Sequence, residues 1–297
     1  MQETSEKKIW TVLSLLQWGT DYLKEKDIES PRITIELLLA HALHCKKIDL
    51  YTGFDKPLSQ SELTEFKMGL KRRLAHEPVQ YIIGETEFMG LSFIVDRRVL
   101  IPRPETEVLA EQAIELTQKI AHQSAIFVLD IGTGCGNIAV SIAKLVQRAT
   151  VIATDVSREA LEAAQINVGR HGVGDRVRLL EHDIFGSVDE LARTPFDLIL
   201  SNPPYVSKEE ALTLRPEILQ YEPKPAVVEG GDGLSFYRRI GETSKRLVKN
   251  EGWVLVETAY NQGPLVRSIL SSAGLQNVQL IKDYDGNDRV VKAQRGL

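Results

Sequence analysis

Short apolar runs alternate with amphipathic stretches from about residue 125 to the end of the chain, and no other feature constrains the fold as strongly. Seven runs have the length and β-branched content of buried strands: AIFVLD, ATVIATD, RVRLLEHD, FDLILS, GWVLVET, NVQLIK and RVVKAQ. Strands that alternate with helices form a parallel sheet covered on both faces. Only DYDGND separates the last two runs, so these predict an antiparallel hairpin. The pattern therefore predicts an α/β fold with a mostly parallel sheet of seven strands and a C-terminal antiparallel hairpin.

The first 75 residues have helical periodicity instead. An apolar stripe at i, i+3, i+4 and i+7 predicts a first helix from Ile9, Val12, Leu13 and Leu16. Ser30 followed by Pro31 predicts the start of a second helix, with Ser30 as its N-cap. Ser59 with Glu62 matches a capping box, which predicts the start of a third helix.

The third helix carries a basic cluster that is either a solvated face or a patch for a charged partner: Lys67, Lys71, Arg72 and Arg73. Beyond it, VQYIIG and LSFIVD predict a pair of strands, with Gly84 and Gly90 between them. We therefore expect three parts: a helical domain at residues 1–75, a β-hairpin linker at 76–104 and the sheet domain at 105–297.

The charge balance limits the classes of partner. The chain has 36 Lys and Arg against 41 Asp and Glu, a net charge of −5, which argues against a protein that grips a long track of nucleic-acid phosphates. Cys45 and Cys135 provide neither a disulfide framework nor a metal-ligand cluster. The N-terminus has no signal pattern, and no run of about 18 apolar residues occurs. We expect a soluble, cytoplasmic protein without a metal, and nothing in the sequence requires more than a monomer.

A glycine-rich turn follows the first strand of the sheet domain. Strand AIFVLD runs into Gly132, Thr133, Gly134, Cys135 and Gly136, and a helix follows. Glycines allow a sharp turn and a close approach of the backbone to a ligand. The spacing G-x-G-x-G is one residue shorter than the dinucleotide-binding pattern, so a pyrophosphate site is poorly supported. The loop predicts a cofactor site, although such turns also serve packing alone.

Acidic side chains follow the next two strands. Asp155 ends strand ATVIATD, where a carboxylate can accept hydrogen bonds from two ribose hydroxyls, and Asp183 ends the strand after it, beside the apolar Ile184. The alternative for Asp155 is a helix N-cap, a role that Ser157 can fill equally well. Asp130, before the loop, is placed to hold a cationic part of the ligand. A nucleoside with a positive centre and no phosphates fits this set, and S-adenosylmethionine has that description.

The sequence Asn202-Pro203-Pro204-Tyr205 directly follows strand FDLILS. The prolines end the strand and leave backbone carbonyls without a ladder partner. The Asn202 side-chain oxygen and a proline carbonyl are two acceptors, and together they can hold the two hydrogens of an NH₂ group. Tyr205 can pack its ring over a flat substrate group. These residues predict a catalytic and substrate-binding site for a planar amino group, against the alternative of a proline-capped strand end.

In this order, DIGTGCG, ATD, HDIF and NPPY resemble the class I S-adenosylmethionine methyltransferases that act on planar amino groups, which have a Rossmann-like fold. EPVQYIIGETEFMGL, VLIPRPETE, YEPKPAVVEGGDGLSFYRRI and DYDGNDR extend the resemblance to the HemK-like protein-(glutamine-N5) methyltransferases, over roughly residues 75–297. That family modifies the glutamine of the Gly-Gly-Gln motif in peptide chain release factors. The resemblance implies the same reaction here, with S-adenosylmethionine as cofactor, S-adenosylhomocysteine as product and release factors as protein partners that the N-terminal helices recognise.

Carried onto this chain, the family's cofactor contacts fall on residues 132–136, Asp155, Ile184 and Asn202, and the substrate amide lies against residues 202–205. Some relatives have an aromatic residue where this chain has Ile184, which leaves an apolar wall for the adenine in place of a stacking ring. Arg103 and Glu105 in IPRPETE either shape a lid over the methionine end or bridge the two domains.

Three other classes share some of these features. A nucleic-acid amino-methyltransferase of the adenine N6 type shares NPPY but needs a basic recognition face. A non-catalytic S-adenosylmethionine-binding protein does not need an intact NPPY. A dehydrogenase needs a longer glycine loop and a catalytic acid–base pair.

Overall fold

A computed structural model describes residues 9–120 and 125–297 of the chain. The chain forms two compact units, which divide between Gly84 and Glu85. The division differs from the three parts expected from the sequence, because residues 76–84 of the expected linker belong to the first unit and residues 85–104 belong to the second. In the part of the chain that the structure describes, no helix has both the length and the apolar character needed to cross a bilayer.

The first unit is helical. Its helices are α1 (Val12–Glu25), α2 (Pro31–Ala42), α3 (Asp49–Thr52), α4 (Gln60–Leu74) and α5 (Val79–Ile83). They surround one apolar core, to which α1, α2 and α4 contribute Leu16, Leu39 and Phe66. The unit thus has a core of its own, and the predicted helical character is confirmed.

The predicted starts of these helices are confirmed to different degrees. The capping box of α4 is present, since the Ser59 side chain accepts a hydrogen bond from the Glu62 backbone and the Glu62 carboxylate accepts one from the Ser59 backbone. Ser30 precedes α2 but adopts a left-handed conformation, and its side chain makes no capping bond. Ile9 lies before α1 and is 75% exposed, because the helix begins only after its cap at Thr11.

The strand predicted at VQYIIG is wrong, because Val79–Ile83 forms α5. Pro78 opens this turn, its carbonyl accepts hydrogen bonds from Tyr81 and Ile82, and Gly84 ends the helix in a left-handed conformation. A short apolar run has no periodicity that separates one helical turn from a strand.

The second unit opens with the hairpin of β1 (Glu85–Phe88) and β2 (Leu91–Ile94). Asn167, fully buried, fixes the hairpin to the unit: its side chain bonds to both the N–H and the carbonyl of Ile94 and to the carbonyl of Cys135. Phe88 and Phe93 pack into the core of this unit. These contacts are the reason that the hairpin is part of the second unit.

The remainder of the second unit is a seven-stranded sheet with helices on both faces. Its strands are β3 (Ile126–Ile131), β4 (Ala149–Asp155), β5 (Val177–Glu181), β6 (Phe196–Ser201), β7 (Val248–Glu257), β8 (Gln276–Lys282) and β9 (Asp288–Gln294). Its helices are α6 (Glu107–Lys119), α7 (Asn137–Leu145), α8 (Arg158–His171), α9 (Pro216–Tyr221), α10 (Lys224–Val227), α11 (Ser235–Leu247) and α12 (Gly263–Ser272).

The strand order is β5-β4-β3-β6-β7-β9-β8. The first five strands in this order run parallel, and β9 is antiparallel to both β7 and β8. The predicted sheet and its C-terminal antiparallel hairpin are therefore confirmed. Two apolar clusters cover the two faces, and the central strand β3 contributes Val128 to one cluster and Leu129 to the other.

Candidate active site

The sheet register brings the candidate residues to one edge. Leu180, Thr154, Ile131, Ser201 and Val256 are aligned across the five parallel strands. The next residue on three of these strands is Asp155, Gly132 or Asn202, so three separate sequence motifs emerge side by side. The direction of chain connections reverses beside β3, and ligands of open α/β sheets bind at such a point, outside the carboxyl ends of the strands. A cavity of about 360 Å³ lies there.

The glycine loop forms one wall of this cavity. Its start is fixed because the backbone N–H groups of Gly132 and Thr133 both donate to the Thr154 carbonyl. Gly134 has a φ of +56°, and a Cβ added there would meet no protein atom within 4 Å. At Gly136 the same atom would lie 3.3 Å from the Ala164 Cβ. Gly134 therefore leaves open space for a ligand, whereas Gly136 lets α7 start close against α8.

Two carboxylates support the loop. Asp155 lines the cavity, and its oxygens accept hydrogen bonds from the Gly134 and Ser157 N–H groups, both at 2.9 Å. Burial raises its pKa. Ser157, not Asp155, caps α8, so the N-cap alternative for Asp155 is wrong. Asp130 lies beneath the loop, outside the cavity lining, and accepts a hydrogen bond from the Thr133 hydroxyl at 2.6 Å; burial raises its pKa to about 7.

The third acidic position adjoins an apolar wall. Asp183 and Ile184 both line the cavity, as predicted, and Ile184 is buried. Two residues that also line the cavity here, His182 and Phe236, were not predicted from the sequence. His182 precedes a residue that was singled out, whereas only the fold brings Phe236 to the site, from α11. The Arg239 guanidinium donates to the Ile184 and Gly186 carbonyls and so holds this wall.

The Asn-Pro-Pro-Tyr segment lies opposite the loop. Asn202, Pro203 and Pro204 line the cavity. The Asn202 amide nitrogen donates to the Thr106 hydroxyl oxygen at 3.1 Å, which leaves the amide oxygen as the free acceptor. Tyr205 does not line the cavity; its ring packs against an apolar cluster, and the Gln262 side chain donates to its carbonyl at 3.0 Å. Its contact with a substrate stays a prediction.

Two further stretches of chain, residues 97–103 and 223–226, contribute to the cavity lining. Arg97, Arg98 and Arg103, before α6, line it together with Pro223 and Ala226, at and within α10. Of these five residues, only Arg103 was predicted from the sequence as part of the site. Their individual sequence signal is weak, although the motifs IPRPETE and YEPKPAVVEGG contain Arg103 and the two α10 residues.

Two contacts join the stretch before α6 to the residues that precede α10. The Arg103 guanidinium pairs with the buried Glu222 carboxylate at 2.5 Å. The Arg97 guanidinium lies 4.7 Å from the centre of the Tyr221 ring. Glu105 does not line the cavity, so Arg103 alone of that pair can reach a ligand.

The residues present fit S-adenosylmethionine. The cavity combines a glycine loop without side chains, a carboxylate at the end of β4, an apolar slot formed by Ile184 and Phe236, and acidic groups suited to a positive centre. Within the described ranges, 9–120 and 125–297, no group of three or more His, Cys, Asp or Glu side chains is arranged to hold a metal ion. Together, the fold and the site define a class I S-adenosylmethionine-dependent methyltransferase.

Comparisons with known proteins narrow this class. A PrmC N-terminal domain model matches residues 14–84, and a methyltransferase small domain model matches residues 111–232. The release factor glutamine methyltransferase of Geobacter sulfurreducens is 41% identical and covers 99% of this chain and 100% of its own length. That of Chlorobaculum tepidum is 40% identical and covers 96% of this chain and 97% of its own. The chain belongs to the release factor glutamine methyltransferase family.

A solved methyltransferase from Pyrococcus furiosus has the same fold, with a TM-score of 0.50 and 21% sequence identity. The match covers 71% of this chain and 91% of that one. At this identity the likeness shows the fold alone.

Proposed function

We propose that the protein transfers a methyl group from S-adenosylmethionine to the side-chain amide nitrogen (N5) of the glutamine in the Gly-Gly-Gln motif of peptide chain release factors. One observation supports this most strongly: Asn202, Pro203 and Pro204 line the same cavity as the cofactor loop. Membership of the release factor glutamine methyltransferase family supports the same substrate.

An amide NH₂ is a poor nucleophile because its lone pair is delocalised into the carbonyl. Full loss of this conjugation costs roughly 18–20 kcal/mol, by analogy with the peptide bond. The Asn202 oxygen and a proline carbonyl accept the two N–H bonds, hold the nitrogen in place and favour the conformation in which its lone pair is turned away from them. The same acceptors stabilise the positive charge that develops on the nitrogen. The bound cofactor supplies an electrophilic methyl group on a sulfonium.

Acidic groups around the cofactor suit its positive charge. A carboxylate has about four acceptor sites, so Asp155 can accept from ribose hydroxyls as well as from backbone N–H groups such as those of Gly134 and Ser157. Asp130 acts through Thr133 and the loop backbone, because it does not line the cavity. Ile184 and Phe236 offer an apolar slot for a flat ring.

The substrate glutamine belongs to a folded protein partner, and we propose that the first unit contributes to its recognition. Arg72 and Arg73, two of the four basic residues of α4, have structural roles, since Arg72 pairs with Glu77 and Arg73 is buried. Lys67 and Lys71 are exposed and remain available to a charged partner.

The experiment is methylation of a purified release factor with S-adenosylmethionine, read by intact mass and then peptide mapping. We expect one added methyl group on the Gly-Gly-Gln glutamine. Asn202→Ala should lower the rate by about 10²–10³, typical for the loss of one preorganised polar contact. Asn250→Ala, which removes an exposed asparagine outside the cavity, should leave it unchanged.

An unmethylated release factor, together with measured cofactor binding, would contradict the proposed substrate. Incorporation of methyl groups into nucleic acid under the same conditions would then identify the nucleic-acid amino-methyltransferase class.

A further inference from the structure

An asparagine amide has an oxygen and a nitrogen of nearly equal size, so shape alone does not fix which of them faces the cavity. The function proposed above needs the oxygen there, because an NH₂ group needs acceptors. A donor NH₂ of Asn202 in the same place would repel the substrate amide. Some neighbouring group must therefore set the direction of the Asn202 amide.

Thr106 is that neighbour. It occupies the N-cap position of α6, where a threonine hydroxyl commonly bonds to the helix backbone, yet its side chain makes no capping bond. Thr106 is 2% exposed, and its hydroxyl oxygen accepts the Asn202 Nδ2 hydrogen at 3.1 Å. The hydroxyl is thus turned away from the helix that it precedes and toward the active site.

The direction of this hydrogen bond depends on where the single hydroxyl proton of Thr106 points. The Glu257 side chain, 1% exposed, adjoins the Thr106 side chain, and a hydrogen bond with Thr106 partly offsets the rise in the Glu257 pKa that burial causes. An ionised carboxylate only accepts, so Thr106 must donate to it. Only lone pairs of the hydroxyl then face Asn202, and the amide nitrogen, not the oxygen, turns toward them.

The sheet places these groups together. Ser201 on β6 is aligned with Val256 on β7, so Asn202 and Glu257 are the next residues on adjacent parallel strands. Glu257 does not line the cavity. Its main-chain carbonyl accepts the Tyr237 hydroxyl at 2.9 Å, which fixes the backbone at this position. A buried acid that touches no part of the cavity acts through its neighbour.

We propose that Thr106 and Glu257 are positioning residues that set the direction of the Asn202 amide, with its nitrogen held away from the substrate and its oxygen presented to it. The proposal rests on the methyl transfer to an amide nitrogen proposed above. It assigns a chemical task to the threonine of the IPRPETE motif and to the acid at the end of β7.

The test uses the full-length protein at pH 8.5, because burial raises the pKa of Glu257 to about 7 and the carboxylate is the ionised form. The titratable and charged groups that face Glu257 come from several elements: Arg103, Glu105, Tyr205, Tyr237 and Arg289. All assays are therefore compared at this single pH.

Thr106→Val keeps the shape and removes the hydroxyl. We expect it to lower kcat about 10- to 100-fold, the usual effect of losing a group that orients a catalytic side chain. The Kd for the cofactor should stay within about threefold of wild type, because valine keeps the shape of Thr106 in the cavity lining. Thr106→Ser should restore kcat to within about threefold. Thr117→Val, which removes the hydroxyl of another threonine that is 2% exposed on α6, should leave kcat unchanged.

Glu257→Gln allows the Thr106 hydroxyl to point either way, and we expect kcat to fall at least about threefold. The double variant Thr106→Val with Glu257→Gln should be no slower than Thr106→Val alone, because the acid acts through the hydroxyl. If Thr106→Val does not fold, Glu257→Gln and Thr106→Ser carry the test.

Three results would overturn the positioning role: Thr106→Val as active as Thr117→Val, Thr106→Ser as slow as Thr106→Val, or losses that multiply in the double variant. In each case a methylated release factor with the wild-type protein would leave the proposed function intact. Absence of methylation with the wild-type protein would refute the proposed function and this inference with it.

Discussion

Asp130 gives the most direct test of the electrostatics beneath the cofactor loop. Burial raises its pKa from 3.8 to about 7, so in the folded protein it binds a proton at pH values where the unfolded chain has released it. Between these two pKa values the folded state binds more protons, and the free energy of unfolding therefore falls as the pH rises. Above pH 7 the full cost of the buried charge is present. In acid, near the unfolded pKa of 3.8, Asp130 is protonated in the folded protein and this cost is absent.

Asp130→Asn removes this titration and keeps an oxygen for the Thr133 hydroxyl. Between pH 5 and the folded pKa of about 7 lie two pH units, each equivalent to about 1.4 kcal/mol. The free energy of unfolding of the variant minus that of wild type should therefore be about 3 kcal/mol larger at pH 8 than at pH 5. The substitution can also change the free energy of unfolding by an amount that is the same at every pH, and that amount does not report on the buried Asp130 charge.

Urea denaturation of both cofactor-free proteins between pH 5 and pH 8 measures the difference. Asp96→Asn is the control of opposite sign, because its hydrogen bonds with Arg98 lower the pKa of Asp96. That variant should be less stable than wild type by the same small amount throughout this range, because the range lies above the unfolded pKa of 3.8 and the pair is partly exposed. A pH-independent difference between Asp130→Asn and wild type would refute the reasoning.

Two further predictions concern the cofactor carboxylate and the support of the substrate segment. Asp155→Ala should weaken cofactor binding about tenfold or more in calorimetry, because charge-assisted hydrogen bonds are lost. Ser157→Ala should lower the melting temperature, because it removes the cap of α8, and should leave the cofactor affinity within about twofold of wild type. Equal affinities of the two variants would exclude the proposed binding of the ribose by Asp155. Gly233→Ala should lower both stability and methyl transfer, because the added Cβ would lie 2.4 Å from the Tyr205 carbonyl oxygen. Gly286→Ala is the control: Gly286 has a φ of +83°, close to the +80° of Gly233, but no atom lies within 4 Å of the added Cβ. That variant should therefore lose only the stability that backbone strain costs. Indistinguishable melting temperatures of the two glycine variants would show that the crowding is relieved.

The strands of the sheet could be predicted because each is a long apolar run with turn residues on both sides. The same reasoning failed at Val79–Ile83, where Pro78 and Gly84 fit either assignment and packing decides for a helix. The shared position of the motifs that follow the strands could also be predicted, because the residues after the carboxyl ends of parallel strands lie at the same edge of the sheet.

Other parts of the site could not be predicted from the sequence. Phe236 reaches the cavity from α11, and the Glu222 carboxylate holds Arg103 from 119 residues away. Neither residue type at either position indicates such a contact, since phenylalanines mostly fill cores and glutamates mostly lie at surfaces. The capping rule even predicts another use of the Thr106 hydroxyl, and only the structure shows that the helix does not use it.

The register of β6 decides whether this site exists at all. A slip of one residue would move every side chain of that strand to the opposite face and remove Asn202 from the row shared with Gly132. The Ser201 hydroxyl, fully buried, donates to the Ile131 carbonyl at 2.8 Å and so ties the last residue of β6 to the last residue of β3. The serine before the Asn-Pro-Pro-Tyr segment thereby links the position of the substrate acceptor to that of the cofactor loop.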